Sequence, residues 1–213
     1  MTDVHFYRAP RLRGVVGKRA LGLANLHVAG RVRYFDAGEV VAGAVDDALG
    51  CRPDAFLMTG DVTAMSSEAE FVAARRAFAP LLESVPSIVI PGNHDLYTRG
   101  ARREARMERH FGEFMAGGTW DEERGCWAGS AGLEPRQSVP WPVRFRLGST
   151  DFVATNPCRP TLRSSGLYPP GAIARAEQLV QESSATGQQV VYLLHYPPLN
   201  RDGTRYDRPG HCL

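Results

Sequence analysis

The chain has 213 residues, of which 43% are hydrophobic and 23% are charged. This composition is typical of a folded globular protein and excludes a disordered chain, and no apolar run is long enough to form a helix that spans a bilayer. The formal net charge of +2 is too small to indicate nucleic acid or an anionic membrane as a partner. We expect a single domain over residues 1–213, because this length is sufficient to bury a core.

The N-terminal segment contains an Asp-x-His triplet formed by Asp3, Val4 and His5. By itself the triplet is weak evidence for a site, because turns and helix caps often contain Asp. In α/β proteins the functional side chains usually follow the carboxyl ends of strands, but only Met1 and Thr2 precede Asp3. We therefore expect the chain to be clipped at its N-terminus.

The segments between residues 36 and 90 have helical periodicity interrupted by short apolar runs. Apolar residues recur at helical spacing from Val40 to Leu49, which predicts one helix. Ser67 and Glu70 have the spacing of a capping box, which predicts the start of a second helix. We expect Pro80 to end or kink that second helix, since proline lacks a backbone N–H.

Three of the predicted strands each run into a polar motif. Residues 55–59 lead into Gly60-Asp61, residues 87–90 lead into Gly92-Asn93-His94-Asp95, and residues 190–194 lead into His195. Because strands of an α/β fold direct their carboxyl ends toward one crevice, we expect these motifs to meet. The glycines before Asp61 and Asn93 would let the backbone turn sharply, so that short side chains reach a common point.

The second half of the chain has a different pattern. Residues 143–147 and 152–155 flank a short polar turn and are predicted to form a β-hairpin. A further helix is predicted over residues 170–184, directly before the strand that leads to His195. The layout is therefore α/β, with a second sheet packed on the first.

Taken together and in this order, the four motifs resemble those of the calcineurin-like metallophosphoesterases. The resemblance includes the Leu-His-Tyr-Pro-Pro sequence around His195 and extends from Asp3 to about Pro198. It implies a fold of two packed mixed β-sheets flanked by helices, an αββα sandwich. It also implies a cofactor of two divalent metal ions, such as Mn, Fe or Zn, because such ions accept mixed oxygen and imidazole ligands.

The resemblance assigns roles to individual residues. Asp61 would bridge the two metal ions, with Asp3 and His5 on one ion and Asn93 and His195 on the other. His94 would protonate the leaving-group oxygen or stabilise its charge, and Asp95 would orient the His94 imidazole. The implied reaction is hydrolysis of phosphodiesters or phosphomonoesters by metal-bound hydroxide.

The end of the chain differs from the family pattern. The family closes its site with Gly-His-x-His, whereas this sequence ends in Gly210-His211-Cys212-Leu213. We expect His211 to lie in a loop and the C-terminal part of the domain, with the closing motif, to be missing. An alternative function therefore stays open, namely a catalytically defective metal-binding or scaffolding module with the same fold.

Arginines flank two of the motifs and suggest a cationic rim around the site. Arg8 follows the Asp-x-His triplet, and Arg99, Arg102, Arg103, Arg106 and His110 are expected on one helical face after the Gly-Asn-His-Asp motif. Such a rim, with Arg8, Arg99, Arg102 and Arg103 as its candidates, would suit a small phosphorylated substrate. A solvated arginine face with no ligand explains the pattern at least as well.

The sequence carries less evidence about partners and cellular location. The sequence does not indicate nucleic acid as a partner, and peripheral membrane contact stays open without specific support. The four cysteines are far apart and form no Cys-x-x-Cys pair, so we expect reduced thiols and a cytoplasmic location.

Overall fold

The structure is a computed structural model that describes residues 1–9, 37–129, 138–160 and 166–204. The helices are α1 (Ala37–Gly50), α2 (Glu68–Leu82), α3 (Arg99–Arg103), α4 (Arg106–Phe111) and α5 (Ala172–Ala185), with a 3₁₀ turn at Gly112–Phe114. The strands are β1 (Phe56–Met58), β2 (Ser87–Val89), β3 (Gly118–Asp121), β4 (Cys126–Ala128), β5 (Val143–Leu147), β6 (Thr150–Ala154) and β7 (Gln189–Leu193). The three helices predicted from residues 40, 67 and 170 onward and the predicted strands are thus confirmed, with ends that differ by at most three residues.

A small parallel sheet carries two of the motifs. Strands β1 and β2 pair in parallel, so that the segments following Met58 and Val89 leave the sheet at the same edge. The N-terminal segment runs beside the end of β1, where the amides of Asp3 and His5 donate to the carbonyls of Gly60 and Asp61 at 3.0 and 2.9 Å. The Asp-x-His triplet is therefore held against the Asp61 loop by backbone hydrogen bonds.

A larger mixed sheet carries the third motif. Its strand order is β4-β3-β5-β6-β7, in which β5 and β6 form the predicted antiparallel hairpin and β6 and β7 pair in parallel. His195 therefore comes from a different sheet than Asp61 and the Gly-Asn-His-Asp motif. The α/β prediction with two sheets and flanking helices is confirmed, although the smaller sheet, as far as it is described, is parallel rather than mixed.

The two sheets share one apolar core. Buried side chains of both sheets, among them Phe56, Val89 and Phe145, belong to a single cluster. Across this interface the indole N–H of Trp127 donates to the carbonyl of Ser87 at 2.8 Å. None of the helices in the described part of the chain has the length and apolar character needed to cross a bilayer.

Helix α2 does not end at its proline. The helix continues past Pro80 to Leu82, because Leu81 and Leu82 are buried in the core and the missing N–H affects only the last turn. Its start is as predicted, since Ser67 and Glu70 form both bonds of a capping box.

The basic segment after the Gly-Asn-His-Asp motif is not one helix. Ala105 has a left-handed backbone with φ of 45°, and this residue separates α3 from α4. The expected continuous arginine face is therefore wrong. The guanidinium of Arg106 instead bonds to the Glu104 carboxylate and to the carbonyl of Ser66, and His110 lies 2.8 Å from a carboxylate oxygen of Glu68.

Candidate metal centre

The backbone at the candidate site is held in an uncommon conformation. Asp3, His5 and Asp61 all have positive φ, at 55°, 53° and 55°. Non-glycine residues in this region cost roughly 1–3 kcal/mol each, and such costs concentrate at functional sites. The backbone bonds between the N-terminal segment and the Asp61 loop hold these residues in place.

Two glycines allow the loops to approach closely. A Cβ atom on Gly60 would lie 2.6 Å from the amide nitrogen of Gly92 and 2.8 Å from Nδ1 of His195. A Cβ atom on Gly92 would collide with the Asp61 carboxylate. Both positions therefore require glycine, because any other side chain would separate the loops that form the site.

Asp61 lies at the centre of the site. The residue is 3% exposed, and its two carboxylate oxygens face different histidines. Oδ2 is 3.6 Å from Nε2 of His5, and Oδ1 is 3.5 Å from Nε2 of His195. The amide of His94 also donates to Oδ1 at 2.8 Å. This is the geometry expected of a carboxylate that is shared between two cation-binding positions.

The candidate ligands form two overlapping groups. His5, Asp61 and His94 have ligand atoms within 4.8 Å of one another, and so do Asp3, Asp61 and His195. The first group differs from the assignment implied by resemblance, which left His94 without a metal. Asp3 lies near both positions, because its Oδ1 is also 3.7 Å from Nε2 of His5. Carboxylate and imidazole donors at these separations fit Mn, Fe or Zn.

His195 is oriented by a backbone carbonyl. Its Nδ1 lies 2.9 Å from the carbonyl oxygen of Thr59, which can only accept, so Nδ1 carries a proton and Nε2 faces the site. Nε2 is also 3.3 Å from Oδ1 of Asn93, which brings the last predicted ligand into the group. A hydrogen bond to the second ring nitrogen is the usual way in which a ligating histidine is fixed.

His94 is oriented in the same way, by the carbonyl oxygen of Ala64. The distance from Nδ1 to this oxygen is 2.7 Å, so Nδ1 donates and Nε2 is the ring nitrogen available for proton exchange. The ring also stacks on Tyr97 and meets the edge of His5, with centroids 5.3 and 4.6 Å apart.

Asp95 does not contact the His94 ring in the way the resemblance implies. Its carboxylate is fully buried and accepts from the amides of Val62, Thr63 and Gly92 at 3.3, 2.8 and 2.9 Å, and from the Thr63 hydroxyl at 3.0 Å. The expectation that Asp95 orients the His94 imidazole is therefore not met, because the Asp95 carboxylate bonds to loop amides and to the Thr63 hydroxyl. Asp95 joins the loop after β1 to the loop after β2, because the amides at these loop ends need a buried acceptor.

The charges of the site are strongly coupled. The hydrogen bond from His5 lowers the pKa of Asp3 to about 2. Burial works to lower the pKa of His195, but the hydrogen bond and charge of Asp61 outweigh it and raise the pKa to about 9. Burial and the Asp61 charge raise the pKa of Asp95 to about 6. The histidines and the carboxylates of Asp3 and Asp61 thus stabilise each other's charged forms, whereas the Asp61 charge disfavours the charged form of Asp95.

Among the four rim candidates, Arg102 lines a described cavity. All four are exposed. Arg102 lines a cavity of about 430 Å³ whose wall also includes Leu96, which follows Asp95 in the chain, and Trp141 and Arg159. His211 and the residues around it lie outside the described part of the chain, as does the basic segment between residues 10 and 36.

The sequence profile of the calcineurin-like phosphoesterases matches residues 1–209, nearly the whole chain. The chain belongs to the calcineurin-like phosphoesterase family. No curated protein matches it in sequence. Membership in this family supports a metal-dependent phosphoester hydrolase, and the paired ligand groups around Asp61 agree with that class.

Sequence reasoning missed several parts of this calcineurin-like phosphoesterase site. The carbonyls of Thr59 and Ala64 orient the two histidines, but a backbone carbonyl leaves no mark in the sequence. The hydroxyl of Thr63 donates to the Asp95 carboxylate. The only sign of this bond in the sequence is weak, namely a hydroxyl residue two positions after the proposed ligand Asp61.

Proposed function

We propose that the chain hydrolyses phosphomonoesters or phosphodiesters of small organic molecules in a metal-dependent reaction. The observation that carries this proposal is the position of Asp61, whose two oxygens lie 3.6 and 3.5 Å from the Nε2 atoms of His5 and His195. A buried carboxylate with a histidine on each side is suited to hold two cations with a phosphate group between the loops.

Divalent cations bound here would lower the pKa of a water molecule and polarise a phosphoryl oxygen. The residues that would hold them are Asp3, His5, Asp61, Asn93 and His195. The protein fixes these ligands before substrate arrives, through the Thr59 carbonyl on His195 and the backbone bonds of the N-terminal segment. Such preorganisation lowers the cost of positioning groups during the reaction.

His94 is the proposed proton donor. Its Nδ1 proton is committed to the Ala64 carbonyl at 2.7 Å, so His94 can donate to a leaving group only when the ring is doubly protonated and Nε2 carries the transferable proton. A phosphate ester held at Asp61 would place its leaving-group oxygen near the His94 ring, because a ring nitrogen of His94 lies within 4.8 Å of ligand atoms of His5 and Asp61. Proton transfer from a positioned histidine contributes roughly 10²–10⁴-fold to a rate.

The organic part of the substrate is proposed to occupy the cavity beside Leu96. Its volume of about 430 Å³ suits a small organic group. Arg102 and Arg159 on its wall are cations that would attract an anionic substrate, and Trp141 offers an apolar surface. These features support a small phosphorylated molecule as substrate.

A cytoplasmic location is also proposed. Cys51, Cys126 and Cys158 form no disulfide in the structure, which agrees with a reducing environment.

The experiment that tests the function measures hydrolysis of p-nitrophenyl phosphate and bis-p-nitrophenyl phosphate with and without manganese. Metal-dependent turnover that is lost in Asp61→Ala and retained in Asp46→Ala, an exposed carboxylate of α1, would support the proposal. Folded protein that binds metal without turnover of either ester would contradict it and favour a metal-binding module. The ratio of the two rates would also separate monoester from diester preference.

A further inference from the structure

Glu70 is a buried carboxylate that the proposed mechanism does not use. It lies in the first turn of α2 and is 0% exposed. Its oxygens accept from three backbone amides, those of Ser67, Met65 and Arg8, at 2.9, 3.1 and 3.3 Å. Burial raises the pKa of Glu70, which is the expected effect of removing a carboxylate from water.

A helix cap alone does not account for this environment. The capping box requires only the bonds between Ser67 and Glu70. A glutamate at this position can make those bonds at the protein surface, without the free energy cost of complete burial. The additional bonds to Met65 and Arg8 connect Glu70 to two of the segments that carry the proposed metal ligands, the loop after Asp61 and the N-terminal segment after His5.

The bond to Met65 leads directly to His94. The amide nitrogen of Met65 and the carbonyl of Ala64 belong to the same peptide group, which is trans, so its N–H and C=O point in opposite directions. The N–H donates to Glu70 at 3.1 Å, and the carbonyl oxygen lies 2.7 Å from Nδ1 of His94. A single peptide group therefore connects the Glu70 carboxylate to the His94 ring.

We propose that Glu70 is a positioning residue that orients the His94 imidazole through the Ala64–Met65 peptide. A carboxylate at the N–H end of a peptide polarises the group and strengthens its carbonyl as an acceptor, since hydrogen bonds in a chain reinforce one another. It also holds the plane of the peptide, and with it the direction of the carbonyl. Glu70 thereby takes the place that the family resemblance assigned to Asp95.

The catalytic part of this inference rests on the proposed function, because the role of His94 is defined there. The test compares Glu70→Gln, which removes the charge but keeps the shape, with Ser67→Ala. Ser67→Ala removes the hydroxyl of the capping box and leaves the Glu70 to Met65 bond in place. If Glu70 acts only as a helix cap, the two variants will behave alike.

The first measurement is the dependence of turnover on the leaving group. Phenyl phosphate needs protonation of its leaving oxygen more than p-nitrophenyl phosphate does, because phenoxide is the more basic leaving group. We expect Glu70→Gln to lower kcat for phenyl phosphate by about tenfold more than kcat for p-nitrophenyl phosphate, with KM little changed. Ser67→Ala should lower both rates by the same factor. An equal effect of Glu70→Gln on both substrates would overturn the inference.

The second measurement does not depend on turnover. In ¹H–¹⁵N spectra of the histidine side chains, recorded on the zinc-loaded and the EDTA-treated full chain, wild-type His94 should show a protonated, hydrogen-bonded Nδ1. Glu70→Gln should shift or broaden this signal, and Ser67→Ala should retain it. The signal is assigned by its absence in His94→Gln.

The two measurements separate the possible failures. If no phosphate ester is hydrolysed, the proposed function fails, but the Nδ1 signal still decides the positioning role. If Glu70→Gln does not fold, Glu70→Asp takes its place, because it keeps the charge but shortens the side chain that reaches Met65. A shifted or broadened Nδ1 signal in that variant supports the inference, and an unchanged signal overturns it.

Discussion

Nε2 of His195 lies 3.5 Å from Oδ1 of Asp61, although the two residues follow strands of different sheets. The contact stabilises the protonated imidazole in protein without metal, so the pKa of His195 rises to about 9 despite its burial. In the metal-free protein, a proton on Nε2 of His195 thus occupies the position proposed for a metal cation. Metal binding must therefore displace this proton.

Metal affinity should increase with pH up to about 9, the pKa of His195 in the metal-free protein. Below this pH the cation must displace a proton from His195, and each displaced proton changes the affinity by about tenfold per pH unit. Titration calorimetry with zinc at several pH values, in buffers of different ionisation enthalpy, measures both affinity and proton release. An affinity that does not change between pH 6.5 and 8.5 would contradict the prediction.

The same shift affects the stability of the metal-free protein. The pKa of His195 is raised from 6.5 to about 9, so the protonated ring stabilises the folded state. This stabilising free energy is fully present below pH 6.5 and is lost as pH rises toward 9. Urea unfolding of EDTA-treated protein should therefore show a midpoint that decreases over this range. The decrease should be smaller in His195→Gln.

His94→Ala should lower turnover by roughly 10²–10⁴-fold and leave the bound metal nearly unchanged, if His94 acts as the proton donor. Kinetics with p-nitrophenyl phosphate and metal analysis by mass spectrometry give the two values. His110→Ala is the matched control, because His110 pairs with Glu68 outside the site. Parallel loss of metal and turnover would instead make His94 a ligand, as its proximity to His5 and Asp61 allows.

Gly92→Ala should strongly reduce metal binding, because the added Cβ would collide with the Asp61 carboxylate. Gly43→Ala provides the control, since Gly43 lies in α1 with no atom within 4 Å of an added Cβ. That control should stabilise the protein by about 0.5–1 kcal/mol through the higher helix propensity of alanine. Metal content and the urea midpoint are measured for both variants. Normal zinc binding by Gly92→Ala would contradict the prediction, because it would show that the loops of Asp61 and Gly92 can move apart without loss of the site.

Arg146→Leu should destabilise the protein by roughly 1–3 kcal/mol, because the Asp151 carboxylate loses its main partner and keeps only Arg144, whose Nε lies 3.9 Å from Oδ2. The guanidinium of Arg146 bonds to both Asp151 oxygens at 2.7 Å, and the Asp151 side chain is 0% exposed. The Arg146 hydrogen bond also lowers the pKa of Asp151 below 3.8. This pair therefore stabilises the fold above pH 3.8 and loses its effect as pH falls below that value.

Urea unfolding at pH 7 and pH 3 provides the measurement for this ion pair. The difference between wild type and Arg146→Leu should be large at pH 7 and smaller at pH 3. Arg175→Leu is a control, because Arg175 and Glu182 form an exposed pair at 3.6 Å that should contribute less than 1 kcal/mol. Equal effects of the two substitutions at pH 7 would argue against a buried charge at Asp151.

Most of the local elements were predictable from the sequence, and so were the residues that the structure brings together around Asp61. Apolar runs before Asp61, Asn93 and His195 predicted strands, and the structure ends a strand within two to four residues of each motif residue. The capping box of Ser67 and Glu70 was predictable for the same reason, since it depends on residues three positions apart. Local patterns carry this information because strand and helix periodicities are properties of neighbouring residues.

The tertiary structure alone decided how these parts meet. Strand β7 joins the larger sheet, so that His195 reaches Asp61 across the junction of the two sheets. Asp95 bonds to loop amides rather than to the His94 ring, and the carbonyl of Ala64 orients that ring instead. The Thr63 amide and the Ala64 carbonyl are backbone groups about thirty residues away from Asp95 and His94, and backbone groups carry no signature in the sequence. Only the packing of the folded chain therefore determines which of them lies within hydrogen-bond distance.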